Sequence, residues 1–218
     1  IVLMGGYSSG YSTYKNDVWR STDKGATWTQ VVVSAQWSER SDHTSVVLPD
    51  GSIVLMGGSS SSYSGYKNDV WRSTDKGMTW TQVTGSAPWS GRSYHTSVVL
   101  PDSSIVLMGG RTSSSTYEND VWRSTDEGAT WTQIIANETR IGRYSHSSVA
   151  LPDGNIIIMG GYSGSYKCDV WRLETAGSTE QHPVHTYTTP DTYTASLTVA
   201  NMGGSDIATK NVTVTKFS

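Results

Sequence analysis

Apolar runs that end in a pair of glycines punctuate this chain at nearly equal intervals: IVLMGG at 1–6, 53–58 and 105–110, and IIIMGG at 156–161. A short, uninterrupted apolar run bounded by turn residues predicts a strand covered on both faces. Ahead of the later runs stands a weakly alternating segment, such as HTSVVLP from His95 to Pro101, closed by a Pro-Asp-Gly or Pro-Asp-Ser turn. After them come NDVWRSTD (Asn119 to Asp126) and TWTQII (Thr130 to Ile135), joined by a tight turn through Glu127 and Gly128. The pattern predicts four short antiparallel strands per unit, with the apolar runs 52, 52 and 51 residues apart. Repeats of that length predict an array in which each unit buries a face against the next.

Composition narrows the class. The 218 residues are rich in Ser, Thr and Gly, carry nine Trp and twelve Tyr, and hold little charge, as a β-rich secreted protein does. A net charge of −3 with 16 Lys and Arg offers no basic stripe for nucleic acid, and no apolar run is long enough to span a bilayer. The single cysteine, Cys168, allows neither an internal disulfide nor a thiolate metal cage, so no metal and no cofactor is expected. The chain starts inside a repeat, which reads as a processed product or an incompletely known sequence with any targeting signal upstream.

An Arg followed by His and an apolar strand, a strand ending in Gly-Gly, NDVW, and a Trp seven to nine residues later together resemble the kelch repeat. The match is full over Arg40 to Trp80 and Arg92 to Trp131, with partial units on either side. The resemblance implies an all-β fold, a β-propeller of four-stranded blades with about four units visible over 1–173. The pattern SxDxGxxW is similar to the Asp-box of sialidase-type propellers. It is occupied by Ser21, Asp23, Gly25 and Trp28, by Ser73, Asp75, Gly77 and Trp80, and by Ser124, Asp126, Gly128 and Trp131. Its residue types suit a hairpin staple: Ser and Asp bond turn amides, Gly takes a positive φ and Trp packs back over the blade. Near-identical copies favour that structural role over a catalytic Asp.

An enzyme reading competes, because Arg40, Arg92 and Arg143 repeat as a carboxylate-binding arginine cluster of a sialidase would. No Tyr/Glu nucleophile pair and no unique acid accompany them. Each Arg precedes a histidine, His43, His95 or His146, by three residues, which suits a structural pair better than a metal ring. A galactose-oxidase-like copper site is set aside, since Cys168 has no evident His and Tyr partners. In an antiparallel blade the loops on the face opposite the SxDxGxxW turns vary most, and they mix Ser with Tyr and Trp. The candidate ligand face is Tyr14, Trp37, Arg40, Tyr66, Trp89, Arg92, Tyr117 and Arg143, suited to stacking on sugar rings or to an adaptable protein contact.

After Arg172 the repeat breaks. HPVHTYTTPDTYTASLTVAN resembles the second half of a PKD domain, an immunoglobulin-like sandwich, through Pro183, His185, Tyr187, Pro190, Tyr193, Leu197 and Val199. The upstream half of that family is missing, so 174–218 reads as a partial β-sandwich segment of three strands, with His182 and His185 structural. Sequons at Asn137 and Asn211 fit an exported glycoprotein. The reading favoured by the sequence is a non-enzymatic extracellular or cell-surface structural or interaction protein, self-associating into a filament or surface layer if the tail and the truncated first unit pair with neighbouring copies, the solution favoured over pairing of the tail within its own chain. The alternative is a lectin-like or sialidase-like propeller that binds glycans.

Overall fold

The computed structural model describes residues 1–10, 13–60, 65–112, 116–135, 142–174, 191–201 and 204–214. The described residues are all β. They divide into two compact units, Ile1–Ala176 and Gly177–Ser218.

The first unit holds four antiparallel sheets, one per repeat. Blade 1 contains β1 (Val2–Ser8), β2 (Thr13–Arg20) and β3 (Thr29–Val32). Blade 2 contains β4 (Thr44–Val47), β5 (Ile53–Met56), β6 (Val70–Ser73) and β7 (Thr81–Thr84), and blade 3 repeats it with β8 (Thr96–Val99), β9 (Ile105–Met108), β10 (Val121–Ser124) and β11 (Thr132–Ile135). Blade 4 contains β12 (Ser147–Ala150), β13 (Ile156–Met159) and β14 (Val170–Leu173). The innermost strand β4 lies beside β8, and β8 beside β12, so the blades succeed one another around a common axis. This is the β-propeller arrangement, built from the continuous apolar runs: β5 and β9 are buried at every position.

Each junction between blades is a separate core. Val18 of blade 1 packs with Trp37, Ile53, Leu55 and Trp80. Val46, Leu48, Val54, Met56 and Val70 of blade 2 pack with Trp89, Ile105, Leu107 and Trp131 of blade 3. Val98, Val106, Met108 and Val121 then meet Ile156, Ile158 and Leu173 of blade 4. The glycine pairs make this closeness feasible. Gly57 has φ +62°, and a Cβ on it would lie 2.7 Å from His95 Cε1 of the next blade.

The second unit contains β15 (Asp191–Asn201) paired in continuous antiparallel register with β16 (Gly204–Val214). Three strands were expected here; the described residues form two. The positions of Pro183, His185, Tyr187 and Pro190 lie outside the described residues, as do His182 and Asn137. The side chains of Tyr193, Leu197, Val199 and Asn211 are likewise outside them.

Candidate functional site

The repeated polar residues prove to be framework. Arg40 is fully buried and forks onto Asp69 with bonds of 2.7 and 2.8 Å, while its Nη1 also donates to the Gly57 carbonyl at 2.9 Å. Arg92 does the same with Asp120 and Gly109, and Arg143 with Asp169 and Gly160. Every donor pointed at Asp or carbonyl is one fewer for a ligand, so these arginines are corrected from the candidate ligand face to the blade interior. The Arg143 fork and the Trp171 indole hold the Asp169 carboxyl well below its ordinary range.

Trp37 and Trp89 need the same correction. Both are buried, packed edge-on against Trp80 and Trp131 at 6.1 and 6.0 Å. Each loop is drawn inward by an asparagine: Asn16 Nδ2 donates to the carbonyls of Ala35 and Trp37, and Asn68 Nδ2 to those of Ala87 and Trp89. Among the remaining candidates, Tyr66 is half-buried and bridges Ser59 through its backbone. Tyr14 and Tyr117 do stand among other tyrosines at the loop face.

On the opposite face the SxDxGxxW hairpins share one hydrogen-bond set. In the second, Ser73 Oγ accepts from Gly77 N–H at 2.8 Å and donates to Asp75, whose carboxylate also accepts from Thr79 N–H and Oγ1. The Trp80 indole donates to the Gly77 carbonyl at 3.1 Å. Hydrogen bonds from Thr27 and Ser21 hold Asp23 down to about 2. Asp75 is also held down to about 2, against its partial burial, by Thr79 and Ser73. All these acceptor sites face the turn itself.

A pocket of about 570 Å³ opens at the loop face, lined by Tyr7, Tyr14, Ser41, Asp42, Tyr94 and Arg111 beside Gly6. Three blades contribute. Tyr7 and Tyr14 flank the first glycine pair with ring centroids 5.0 Å apart. Asp42 and Tyr94 occupy equivalent positions just ahead of β4 and β8, and Tyr94 N–H donates to the Asp42 carbonyl at 2.9 Å. Both are non-glycine residues at φ 56°, and the third equivalent, Ser145, has φ 52°. Such left-handed backbone costs energy in a residue with a Cβ and gathers at functional sites. Desolvation, the Asp42 charge and a hydrogen bond to Asp42 push the Tyr94 phenol up to about 12. From Tyr94 an aromatic path runs through Tyr144 at 5.7 Å to Tyr117 and Tyr162, and Arg111 stacks over Tyr144 at 5.6 Å.

The copies differ at several of the positions that line this pocket, while Tyr14 and Ser41 recur as Tyr66 and Ser93. RSDHTSVVLP and RSYHTSVVLP differ by one residue, Asp42 against Tyr94. After the glycine pairs the sequence reads Tyr7, Ser59, Arg111 and Tyr162. Structural positions are copied; these are individual. Asp42, Tyr94, Tyr7 and Arg111 are not among the candidates the sequence singles out: Tyr7 and Arg111 lie in the loops it marks as variable, but nothing local distinguishes them from their neighbours there, and the exchange of Asp42 for Tyr94 between copies is the signal that could have found the other two.

Among the described residues no group of His, Cys, Asp and Glu is arranged to hold a metal, and Cys168 is exposed. Among the described residues no helix is long and apolar enough to cross a membrane. The pocket combines aromatic faces, one carboxylate acceptor and one guanidinium donor, the equipment for a polyhydroxylated ligand.

The chain is 30% identical over 202 residues to a xyloglucanase of Paenibacillus sp, covering 80% of the chain and 19% of that protein. It is 25% identical over 203 residues to the xyloglucanase Xgh74A of Acetivibrio thermocellus, covering 80% of the chain and 23% of that protein. Adagio-like protein 3 of Oryza sativa subsp. japonica is 29% identical over 163 residues, covering 71% of the chain and 26% of that protein. The chain thus spans about a quarter or less of these relatives. The solved structure of YjhT superposes with a TM-score of 0.56 at 13% identity, covering 80% of this chain and 65% of that one, a likeness of fold. The expectation of a non-enzymatic chain does not stand, because relatives matched over most of its length carry an enzyme's name. A family profile described as the KLHDC2/KLHL20/DRC7 Kelch-repeats domain matches residues 1–203, and the four glycine-paired blades agree with it: the chain belongs to that kelch-repeat family.

Proposed function

We propose that this propeller belongs to a carbohydrate-active protein and engages a polysaccharide, of the β-glucan type that names its xyloglucanase relatives, at the tyrosine-lined mouth. The observation that carries the reading is the divergence of the repeats at the pocket, where Tyr7 of blade 1, Asp42 of blade 2, and Tyr94 and Arg111 of blade 3 meet. Tyr7, Tyr14 and Tyr94 offer ring faces for sugar stacking, and Asp42 and Arg111 orient hydroxyls. Glycoside cleavage uses two carboxylates flanking the bond, and Asp42 is the carboxylate lining this pocket, hence the residue to examine for a share in chemistry. A polysaccharide ligand goes with an extracellular location. On this reading the SxDxGxxW hairpins are Asp-box-type staples remote from the ligand, and 174–218 is a separate PKD-like appendage.

Calorimetric titration with xyloglucan oligosaccharides tests this. Asp42→Asn and Tyr94→Asn tolerate the left-handed backbone, and each should weaken binding at least about tenfold, roughly 1.4 kcal/mol. Lys24→Ala, on the hairpin face, should leave it unchanged. Binding that survives both pocket substitutions, or no binding to any β-glucan, sinks the proposal. Release of reducing sugar that Asp42→Asn abolishes while binding persists would give Asp42 a chemical role.

A further inference from the structure

One backbone contact recurs where the loop after a glycine pair meets the entrance of the next blade. Gly58 N–H donates to the Arg92 carbonyl at 2.8 Å, and Gly110 N–H donates to the Arg143 carbonyl at 2.9 Å. The residues that follow these are thereby brought side by side: Ser59 with Ser93 between blades 2 and 3, and Arg111 with Tyr144 between blades 3 and 4. At the first crossing two small side chains are buried. At the second, the Arg111 guanidinium lies over the Tyr144 ring, 5.6 Å from its centroid. Arg40 over Trp37 and Arg92 over Trp89 are stacked too, but those pairs are copies of one another within a framework loop. Arg111 over Tyr144 crosses a junction and stands where the preceding junction has serine on both sides.

Arg111 lines the pocket at the loop face; Tyr144 does not, and reaches it only through Arg111. The Tyr144 ring is itself fixed, by Tyr117 at 5.0 Å, Tyr162 at 5.4 Å and Tyr94 at 5.7 Å, and its backbone exchanges hydrogen bonds of 3.1 and 2.9 Å with Tyr162. A guanidinium offers an aromatic neighbour its flat face and keeps its N–H donors in the plane. Stacking therefore occupies none of the donors, while it restrains a side chain rich in rotamer freedom. We infer that Tyr144 is a positioning residue: it holds the Arg111 guanidinium so that the in-plane N–H groups face the hydroxyl oxygens of a sugar in the pocket. Arg111 is then ordered before the ligand arrives, and binding no longer has to order it. The ligand in this inference rests on the glycan reading, whereas the clamp rests on the geometry alone.

Two readouts on the full chain separate the clamp from the ligand. In heteronuclear NMR spectra of the ligand-free chain, the Arg111 Nε–H should carry a ring-current shift that Tyr144→Ser removes and Tyr144→Phe retains. In calorimetric titration with xyloglucan oligosaccharides, Arg111→Gln should weaken binding about tenfold through loss of a charged donor. Tyr144→Ser should weaken it roughly two- to fivefold, and Tyr144→Phe should bind like the parent. With Arg111→Gln already present, Tyr144→Ser should add nothing. A Tyr144→Ser loss of equal size in both backgrounds would give the ring a purely structural role or a contact of its own, and overturns the inference. So does a Tyr144→Ser chain that binds like the parent, or a Tyr144→Phe chain that binds as weakly as Tyr144→Ser. Absence of the ring-current shift overturns the clamp and leaves the glycan reading standing. A parent chain that shows the shift yet binds no β-glucan loses the glycan reading and, with it, the role given to Tyr144.

Discussion

At the residue scale the molecule separates what it repeats from what it varies. Arg92 is fully buried against Asp120, with Asp120 also accepting from the Trp122 indole at 2.7 Å. Removing one member of a buried, hydrogen-bonded pair strands the other charge. Arg92→Met should therefore cost about 3–5 kcal/mol in urea unfolding, whereas Arg72→Met, at a partly exposed pair with Asp50, should cost about 1 kcal/mol or less. Equal losses would show that the buried fork is not the stabilising element. Ser73→Ala offers a second test, because it leaves the Gly77 amide without its acceptor beneath the hairpin. About 1–3 kcal/mol should be lost, with glycan binding untouched; a selective loss of binding would move the hairpin into the functional site. The Arg-x-x-His spacing was legible in the sequence, but not its partner. Asp120 lies 28 residues away, and only the strand register brings it under Arg92. For the same reason Trp37 and Trp89, loop tryptophans beside Ser and Pro, look exposed in sequence and are buried by an asparagine clamp.

At the element scale adjacent inner strands are tied by histidines. His95 Nε2 lies 2.9 Å from Thr44 Oγ1 of the preceding blade, and His146 Nε2 lies 2.8 Å from Thr96 Oγ1. Burial, reinforced by the neighbouring Arg40, lowers His43 to about 4, and burial with Arg92 nearby carries His95 well below its ordinary value. A histidine whose folded pKa is depressed is neutral in the blade and takes up a proton on unfolding, so stability falls as pH drops below about 6.5. The fall continues down to about 4 for His43, at up to about 1.4 kcal/mol per pH unit for each histidine. Urea unfolding at about pH 7 and about pH 5 should show this slope, and His95→Gln should reduce it by one histidine's share. An unchanged slope in His95→Gln would mean that the histidine is already protonated in the folded blade. The strands and their glycine pairs were readable because short apolar runs bounded by turn residues, too short for helices, recur at a fixed period. The latch was not, since a lone His ahead of a strand says nothing about which blade it touches.

At the scale of the whole molecule, stability resides in the junctions, and one repeat position appears in two environments. Leu55 and Leu107 are fully buried between blades, while Leu3, at the same place in the repeat, is 49% exposed. Deleting a buried leucine side chain costs transfer energy and leaves a cavity, so Leu107→Ala should lose about 2–5 kcal/mol. Because Leu107 joins blades 2 and 3, the loss should also divide unfolding into two transitions, as expected where each unit contacts only its neighbours. Leu3→Ala in dilute solution removes area that water already reaches and should cost within about 0.5 kcal/mol. Melting curves of the parent, Leu3→Ala and Leu107→Ala compare the two positions: a large, divided loss for Leu107→Ala beside a small one for Leu3→Ala is the expected outcome, and a Leu3→Ala penalty as large as that of Leu107→Ala would mean that burial between blades is not what the leucine contributes.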